Sequence, residues 1–415
     1  SPTSWRGRSG SSWGRLGMRY ELVANIADIQ TGPFGSQLHK EDYVENGTPI
    51  VTVEHLGQRI FTTQNLPRVS DIDKKRLSKY VLQKEDIVFS RVGSVDRCSY
   101  VDKWHDGWMF SGRCLRVRPC DLVEPLFLYY TFCLEQTKQY IRNVAVGATM
   151  PSINTKLLGK VEVPFPPLDI QQRIAKILSA IDDKIELNQR ISDNLQQQAI
   201  AIFKSWFIDF IPFGAECPST WEETELGAFT TLISRGITPK YADSSDQTVI
   251  NQKCIRNHTI DLSFARNHLP KIINEKWLQF GDLLINSTGA GTLGRTAQVW
   301  FEPYNLTVDS HVTIVRPANS ELIFYIGLWG ILHEKELEAL HTGSTGQTEL
   351  PRDRVKTMRL LLPDAEILGH FNDVIASITA AIVANQNESL KLATVRDTLL
   401  PKLMSGEIDV SNLQF

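Results

Sequence analysis

The chain has 415 residues, of which 42% are hydrophobic and 22% charged, and a formal net charge of −3. It is too long for one ordinary core, its composition is that of a globular protein, and it lacks the basic excess that would bind DNA by bulk charge alone. No secretory signal is evident, and the longest apolar run, "LIFYIGLWGIL" at 322–332, is too short to span a bilayer.

Residues 1–17, "SPTSWRGRSGSSWGRLG", are non-periodic and read as a leader outside the fold, disordered or of expression-vector origin, with Met18 as a natural start. From 18 to 165 the pattern is short β-branched runs, such as "TPIVTV" (48–53) and "DIVFS" (86–90), set among loops, with a helix expected over 125–142. An apolar, proline-marked exit, "VPFPPLD", leads into 166–213. Asp169 to Asp209 contains neither Gly nor Pro, which predicts a helical rod of roughly 60 Å. A second mixed segment, 214–363, carries "DLLIN" (282–286) as a strand and a helix over 321–340. The final segment, 364–415, carries another long helix from about Glu366 to Leu400, ended by Pro401.

The second half repeats the first. "LQKEDIVFSRVGSVDR" (82–97) aligns with "LQFGDLLINSTGAGTLGR" (278–295), "LRVRP" (115–119) with "TIVRP" (313–317), and "GATMPSIN" (147–154) with "GQTELPRD" (346–353). The helices match too. Ile174, Ile181, Asn188, Leu195 and Ile202 keep heptad spacing, as do Phe371, Ile378, Asn385, Leu392 and Leu399. One shared heptad on two helices of one chain predicts a coiled coil, and economy of connection favours antiparallel pairing about a pseudo-two-fold. An amide on each apolar stripe then marks the crossing point, where Asn188 and Asn385 would meet and fix register. The alternative is that one or both face solvent. The fold class expected is therefore α/β (α+β): two similar mixed domains joined by two long antiparallel helices.

Chemistry is sparse. Six cysteines show no CxxC spacing and read as reduced, mostly buried thiols of a cytoplasmic protein. "GAGTLG" (289–294) spells GxGxxG, but the β-like "RTAQVWF" follows it where a dinucleotide site needs a helix, so a Gly-rich loop is expected. There is no GxxxxGK[ST], no Asn-Pro-Pro-aromatic motif and no HExxH, which leaves no catalytic residue or metal ligand to name. What repeats and is polar lies in loops, in side-chain types that hydrogen-bond base edges. In the first copy these are Gly32, Ser36, Lys40, Thr52, Glu54, His55, Arg91, Ser94, Arg97 and Thr149. In the second they are Arg235, Thr238, Lys240, Asn251, Gln252, Lys253, Ser287, Thr288, Thr292, Arg295 and Gln347. Each could equally be an ordinary solvated loop residue.

With its duplicated layout, the helix "PLDIQQRIAKILSAIDDKIELNQRISDNLQQQAIAIFKSWF" (167–207) and the end "LLPKLMSGEIDV" (399–410), the sequence resembles the specificity subunit of type I restriction–modification systems. The loops "TGPFG" (31–35), "SRVGSVDR" (90–97) and "NSTGAGTLGR" (286–295) add to the likeness. It departs in lacking, before the first domain, the Pro-x-x-Trp opening seen at Pro218–Trp221. The resemblance implies two target recognition domains, 18–165 and 214–363, each reading one part of a split site in double-stranded DNA. It implies helices that set the gap and dock two methyltransferase (modification) subunits, and motor-nuclease (restriction) subunits as further partners. S-adenosylmethionine and ATP would sit on those partners, with no cofactor, metal or catalytic residue on this chain and no membrane contact. The contrary reading is a two-domain enzyme with an unfamiliar active site, which ought to repeat its catalytic residues. Most charged residues do not repeat. Residues 18–165 carry 19 basic against 17 acidic side chains and 214–363 carry 14 against 17, so the first domain should be the more salt-sensitive.

Overall fold

The computed structural model describes residues 19–35, 37–147, 149–289, 291–343 and 348–413. The leader thus lies outside the described residues. Contacts divide the chain into two units, one running up to Glu186 and resuming at Ser389, the other Leu187–Glu388. The boundary falls within both long helices, so each helix gives one part of its length to each unit's core.

The two units share one topology. In the first, an antiparallel sheet runs in the order Ala27–Thr31, Cys114–Pro119, Ile87–Ser90, Cys98–Tyr100. In the second, the order is Thr230–Arg235, Val312–Pro317, Leu283–Asn286, Thr296–Gln298. Each unit adds a three-stranded sheet with one parallel pair: Tyr43–Val51 beside Met109–Phe110 in the first, Thr248–Ile250 beside Leu306–Val308 in the second. The internal repeat is therefore a repeat of strand order and of pairing.

The strand sequences explain why this sheet sits in the middle of each unit. Ile87 and Phe89 point into a core shared with the long helices, whereas Val88, between them, points into a second core of the outer lobe. Leu283 and Ile285 divide from Leu284 in the same way. A strand with period-two side chains and apolar residues at every position must be covered on both faces. The loops beyond the outer core are left to carry the site.

One charged feature does repeat. Asp86 accepts from Arg118 Nε and Nη2 at 2.7 and 2.6 Å, and Asp282 from Arg316 at 2.8 and 2.7 Å. Each carboxylate also takes the amide three residues before it, from Gln83 and Gln279. Both carboxylates are buried, and burial pushes the Asp282 carboxyl upward despite the Arg316 guanidinium. These pairs fasten the turn before the central strand to its neighbour.

The long helices are Leu168–Phe207 and Ala365–Met404. In the first unit Asp182 meets Arg396 while Arg173 reaches the carbonyls of Val410 and Ser411. In the second Asn188 meets Glu388 while Phe207 packs on Phe371. Rising numbers on one helix face falling numbers on the other, so the pairing is antiparallel in each unit. Three sequence expectations change. The second helix continues through Pro401, because Leu400, Leu403 and Met404 are buried in the first unit's core and hold the last turn against the lost amide donor. The helix expected at 125–142 is two, Pro125–Cys133 and Glu135–Val144, broken where Leu134 turns extended and buries its side chain. Its counterpart likewise breaks at His333, between Ile323–Leu332 and Glu334–Ala339. By length and composition alone Ala365–Met404 could also cross a bilayer; here Phe371 and Ile375 on it are core residues of the second unit.

Candidate DNA interface

In the first unit the outer loops enclose a cleft of about 610 Å³ lined by Phe34, Thr52, Glu54, Arg91, Arg113 and their neighbours. Two glycines make it possible. A Cβ on Gly32 would stand 2.1 Å from the Ser111 carbonyl oxygen, and one on Gly112 2.2 Å from that of Pro33. Only bare backbone lets the two loops close on each other. Gly236 holds the corresponding place in the second unit, where a Cβ would stand 1.9 Å from the Val308 carbonyl oxygen.

Arg91 is fixed at the cleft wall. Its amide donates to the Arg113 carbonyl at 2.8 Å, its Nη1 donates to the Gly112 carbonyl at 3.0 Å, and its guanidinium lies 5.8 Å from the Phe34 ring centre. Arg113, exposed beside it, is a candidate that sequence reasoning missed. The available signal was its place just before the strand "CLRVRP", but the second copy has His311 at that point, so the repeat did not flag it.

The turn Val53–His55 shows which polar residues are presented and which are spent. The Thr52 amide donates to His55 Nδ1 at 3.0 Å, and His55 Nε2 lies 2.8 Å from the Gln64 carbonyl. A carbonyl only accepts, so Nε2 carries the proton. His55 is 1% exposed and cannot touch DNA; its placement among the reading residues is corrected to a buried brace. Glu54, between them, is exposed. Ser94, Arg97 and Thr149 are exposed too but do not line the cleft. Their loops are neighbours, since the Gly93 amide donates to Pro151 at 2.8 Å. Lys40 begins a short turn, Lys40–Asp42, and its side chain lies outside the described atoms, as do Ser36 and Gln347 altogether.

In the second unit more of the candidates hold the frame. Arg235 pairs with Glu349 at 2.6 Å and donates to the Leu350 carbonyl at 3.0 Å, so its charge is met internally. Asn251 accepts from the Lys253 amide at 2.9 Å and donates to the Phe264 carbonyl at 2.7 Å. Gln252 donates to the Thr288 carbonyl at 3.0 Å, Thr288 Oγ1 lies 2.8 Å from His311 Nδ1, and Thr292 donates to the carbonyls of Thr288 and Gly289. Ser287 is fully buried just after the strand Leu283–Asn286, with its hydroxyl 2.5 Å from that of Thr313, and is corrected from a reading residue to a buried brace on the sheet. The main chain of Arg295 closes the Gly-rich loop onto Asn286 at 2.9 Å, with its side chain half-buried. A strand, Thr296–Gln298, follows that loop. Thr238, Lys240 and Lys253 remain exposed.

The geometry is that of two matched frames presenting unlike side chains at their outer loops. Residues 23–197 match the family model of the type I restriction modification DNA specificity domain. The MjaIX specificity subunit of a type I restriction enzyme from Methanocaldococcus jannaschii is 28% identical over 318 residues, covering 71% of this chain and 72% of that one. The HindI specificity subunit from Haemophilus influenzae is 24% identical over 407 residues, 80% of this chain and 88% of that one. The solved S subunit of a type I restriction–modification system from M. genitalium shares the fold, with a TM-score of 0.53 at 16% identity over 97% of this chain and 98% of that one. Residues 23–197 thus match a type I restriction modification DNA specificity domain, and over most of its length the chain is similar to the specificity subunits of type I restriction enzymes.

Proposed function

We propose that each unit reads one block of a bipartite site in double-stranded DNA, and that the paired helices set the gap and dock two methyltransferase subunits, with motor-nuclease subunits completing the assembly. The observation that supports this is the repeat itself: one backbone frame, built twice, differing mainly in the polar side chains on its outer loops. A duplicated enzyme would repeat its reacting groups; the charged pair that does repeat, Asp86–Arg118 and Asp282–Arg316, is buried and structural. On this reading the chain does no chemistry. S-adenosylmethionine and ATP are handled by partners in the cytoplasm, and those partners supply phosphate attraction that this chain, at −3, lacks. The test is selection from randomised duplexes by the full chain assembled with its methyltransferase. Two conserved blocks separated by a fixed unread run are expected; a single contiguous block would overturn the reading.

A further inference from the structure

Each unit carries the same short turn after the same strand. Tyr43–Val51 leads into Val53–His55, and Thr248–Ile250 into Gln252–Cys254. The residue before each turn braces it (Thr52, Asn251), and the last residue is buried (His55, Cys254). The middle residue points outward in both, and its charge is opposite: Glu54 in the first unit, Lys253 in the second.

A carboxylate is a costly group to place against a polyanion. Around Glu54 the cleft also holds Arg91 and Arg113, cations that suit phosphate or a guanine edge, whereas Glu54 gains nothing from phosphate and must meet a donor. Its Oε1 accepts from Thr52 Oγ1 at 3.2 Å, while Oε2 has no partner among the described residues. The donors DNA presents in the major groove are the amino groups of cytosine and adenine, and carboxylates pair with cytosine N4. A lysine at the same point meets guanine O6 and N7 instead.

We infer that Glu54 and Lys253 are specificity-determining residues at equivalent positions of the two units, Glu54 selecting a base with a major-groove amino donor, cytosine foremost, and Lys253 selecting guanine. The inference rests on the reading that each unit recognises its own block.

The experiment uses the full chain assembled with its methyltransferase and a randomised duplex pool, sequenced after binding. Glu54→Lys should switch one position of one block toward guanine and leave the other block as in wild type. Lys253→Glu should do the converse. Each switch should be roughly 5- to 150-fold in base preference. Glu54→Gln keeps the side chain's size and its acceptor for Thr52, and should turn the same position toward adenine. Equal melting temperatures of variants and wild type establish that the fold is intact. Variants that lose affinity for all sequences alike, or that leave both blocks unchanged, overturn the assignment alone. A wild-type pool without two blocks overturns the underlying reading, and the assignment with it.

Discussion

Asn188, 1% exposed on the apolar stripe of its helix, donates its amide to the Glu388 carboxylate at 2.7 Å and to the Asn385 main-chain oxygen at 3.5 Å. The seam amide nitrogen thus donates to a carboxylate at its rim and to the backbone of the opposite helix. A buried polar group of this kind lowers stability relative to an apolar one and restricts which register is acceptable. Glu388 is exposed and can rehydrate when its partner is removed. Asn188→Leu should therefore raise stability by about 1 kcal/mol, and Glu388→Gln should change it by less than about 0.5 kcal/mol. Thermal melts followed by circular dichroism measure both. A lower melting temperature for Asn188→Leu would show that the Glu388 contact outweighs the burial of leucine.

Asp182 lies on the same helix and should behave in the opposite way. It is 4% exposed, accepting from Arg396 Nη1 at 2.8 Å and from the Tyr130 hydroxyl at 2.7 Å. Burial, reinforced by the Asp182 charge, pushes the Tyr130 phenol far above its usual range, so it stays a donor. Asp182→Leu strands a half-buried guanidinium that, among the described residues, keeps the Asp397 carboxylate as its ion-pair partner, at a cost of about 3 kcal/mol. Removing Arg396 as well, as Asp182→Leu with Arg396→Leu, should recover most of that loss. A double-mutant cycle in chemical denaturation reads the difference; additive losses would mean the pair is not coupled.

What the sequence made legible was whatever has a short period. Heptad spacing located both long helices, the first of them also by its lack of Gly and Pro, and the runs "DIVFS" and "DLLIN" located the strands buried on both faces. What it hid depends on partners far along the chain. His55 and Ser287 look like loop polars until Gln64 and Thr313 are seen to satisfy them from 9 and 26 residues away. The Asp86–Arg118 link spans 32 residues and the Asp282–Arg316 link 34, so a repeat search aligned the acids without exposing their role. Pro401 misled for a related reason, since propensity ends a helix there but the buried Leu403 and Met404 carry it on.

The outer lobe of the first unit should be acid-labile through Asp102. Burial pushes its carboxyl up, but the His105 ring and the amides of Trp104 and His105 outweigh burial and hold it below its ordinary value. Those contacts are 2.5 Å from the ring nitrogen and 2.9 and 3.1 Å from the amides. A carboxyl lowered on folding stabilises fully above its unfolded pKa of about 3.9, and that contribution is lost as pH falls through the lower folded value. Tryptophan fluorescence during acid titration should therefore report an intact lobe at pH 5 and loss of packing below about pH 4. Asp102→Asn should flatten this dependence and lower stability at neutral pH by about 1 kcal/mol. An unchanged acid midpoint in that variant would place the titrating group elsewhere.

The cleft arginines provide the test of where DNA sits. Arg91 is braced by the Gly112 carbonyl and stacked near Phe34, whereas Arg113 projects from the same wall and is exposed. The corresponding residues of the second unit are Ser287, buried, and His311, so the first unit brings two permanent charges where the second brings none. If these guanidiniums neutralise phosphates, each one removed should weaken binding to all sequences equally and reduce the slope of log affinity against log salt by about 1. A guanidinium that instead grips a guanine edge would cost about 1–3 kcal/mol at one base and leave the salt slope nearly unchanged. Arg113→Ala, with its free reach, should show the phosphate pattern. Arg91→Ala, with its head group fixed on the cleft wall, should show the base pattern and alter only the block read by the first unit. Binding isotherms across a salt series, on matched and single-mismatch duplexes with the methyltransferase present, separate the two. If neither substitution changed affinity, salt slope or base preference, this cleft would not be the DNA interface.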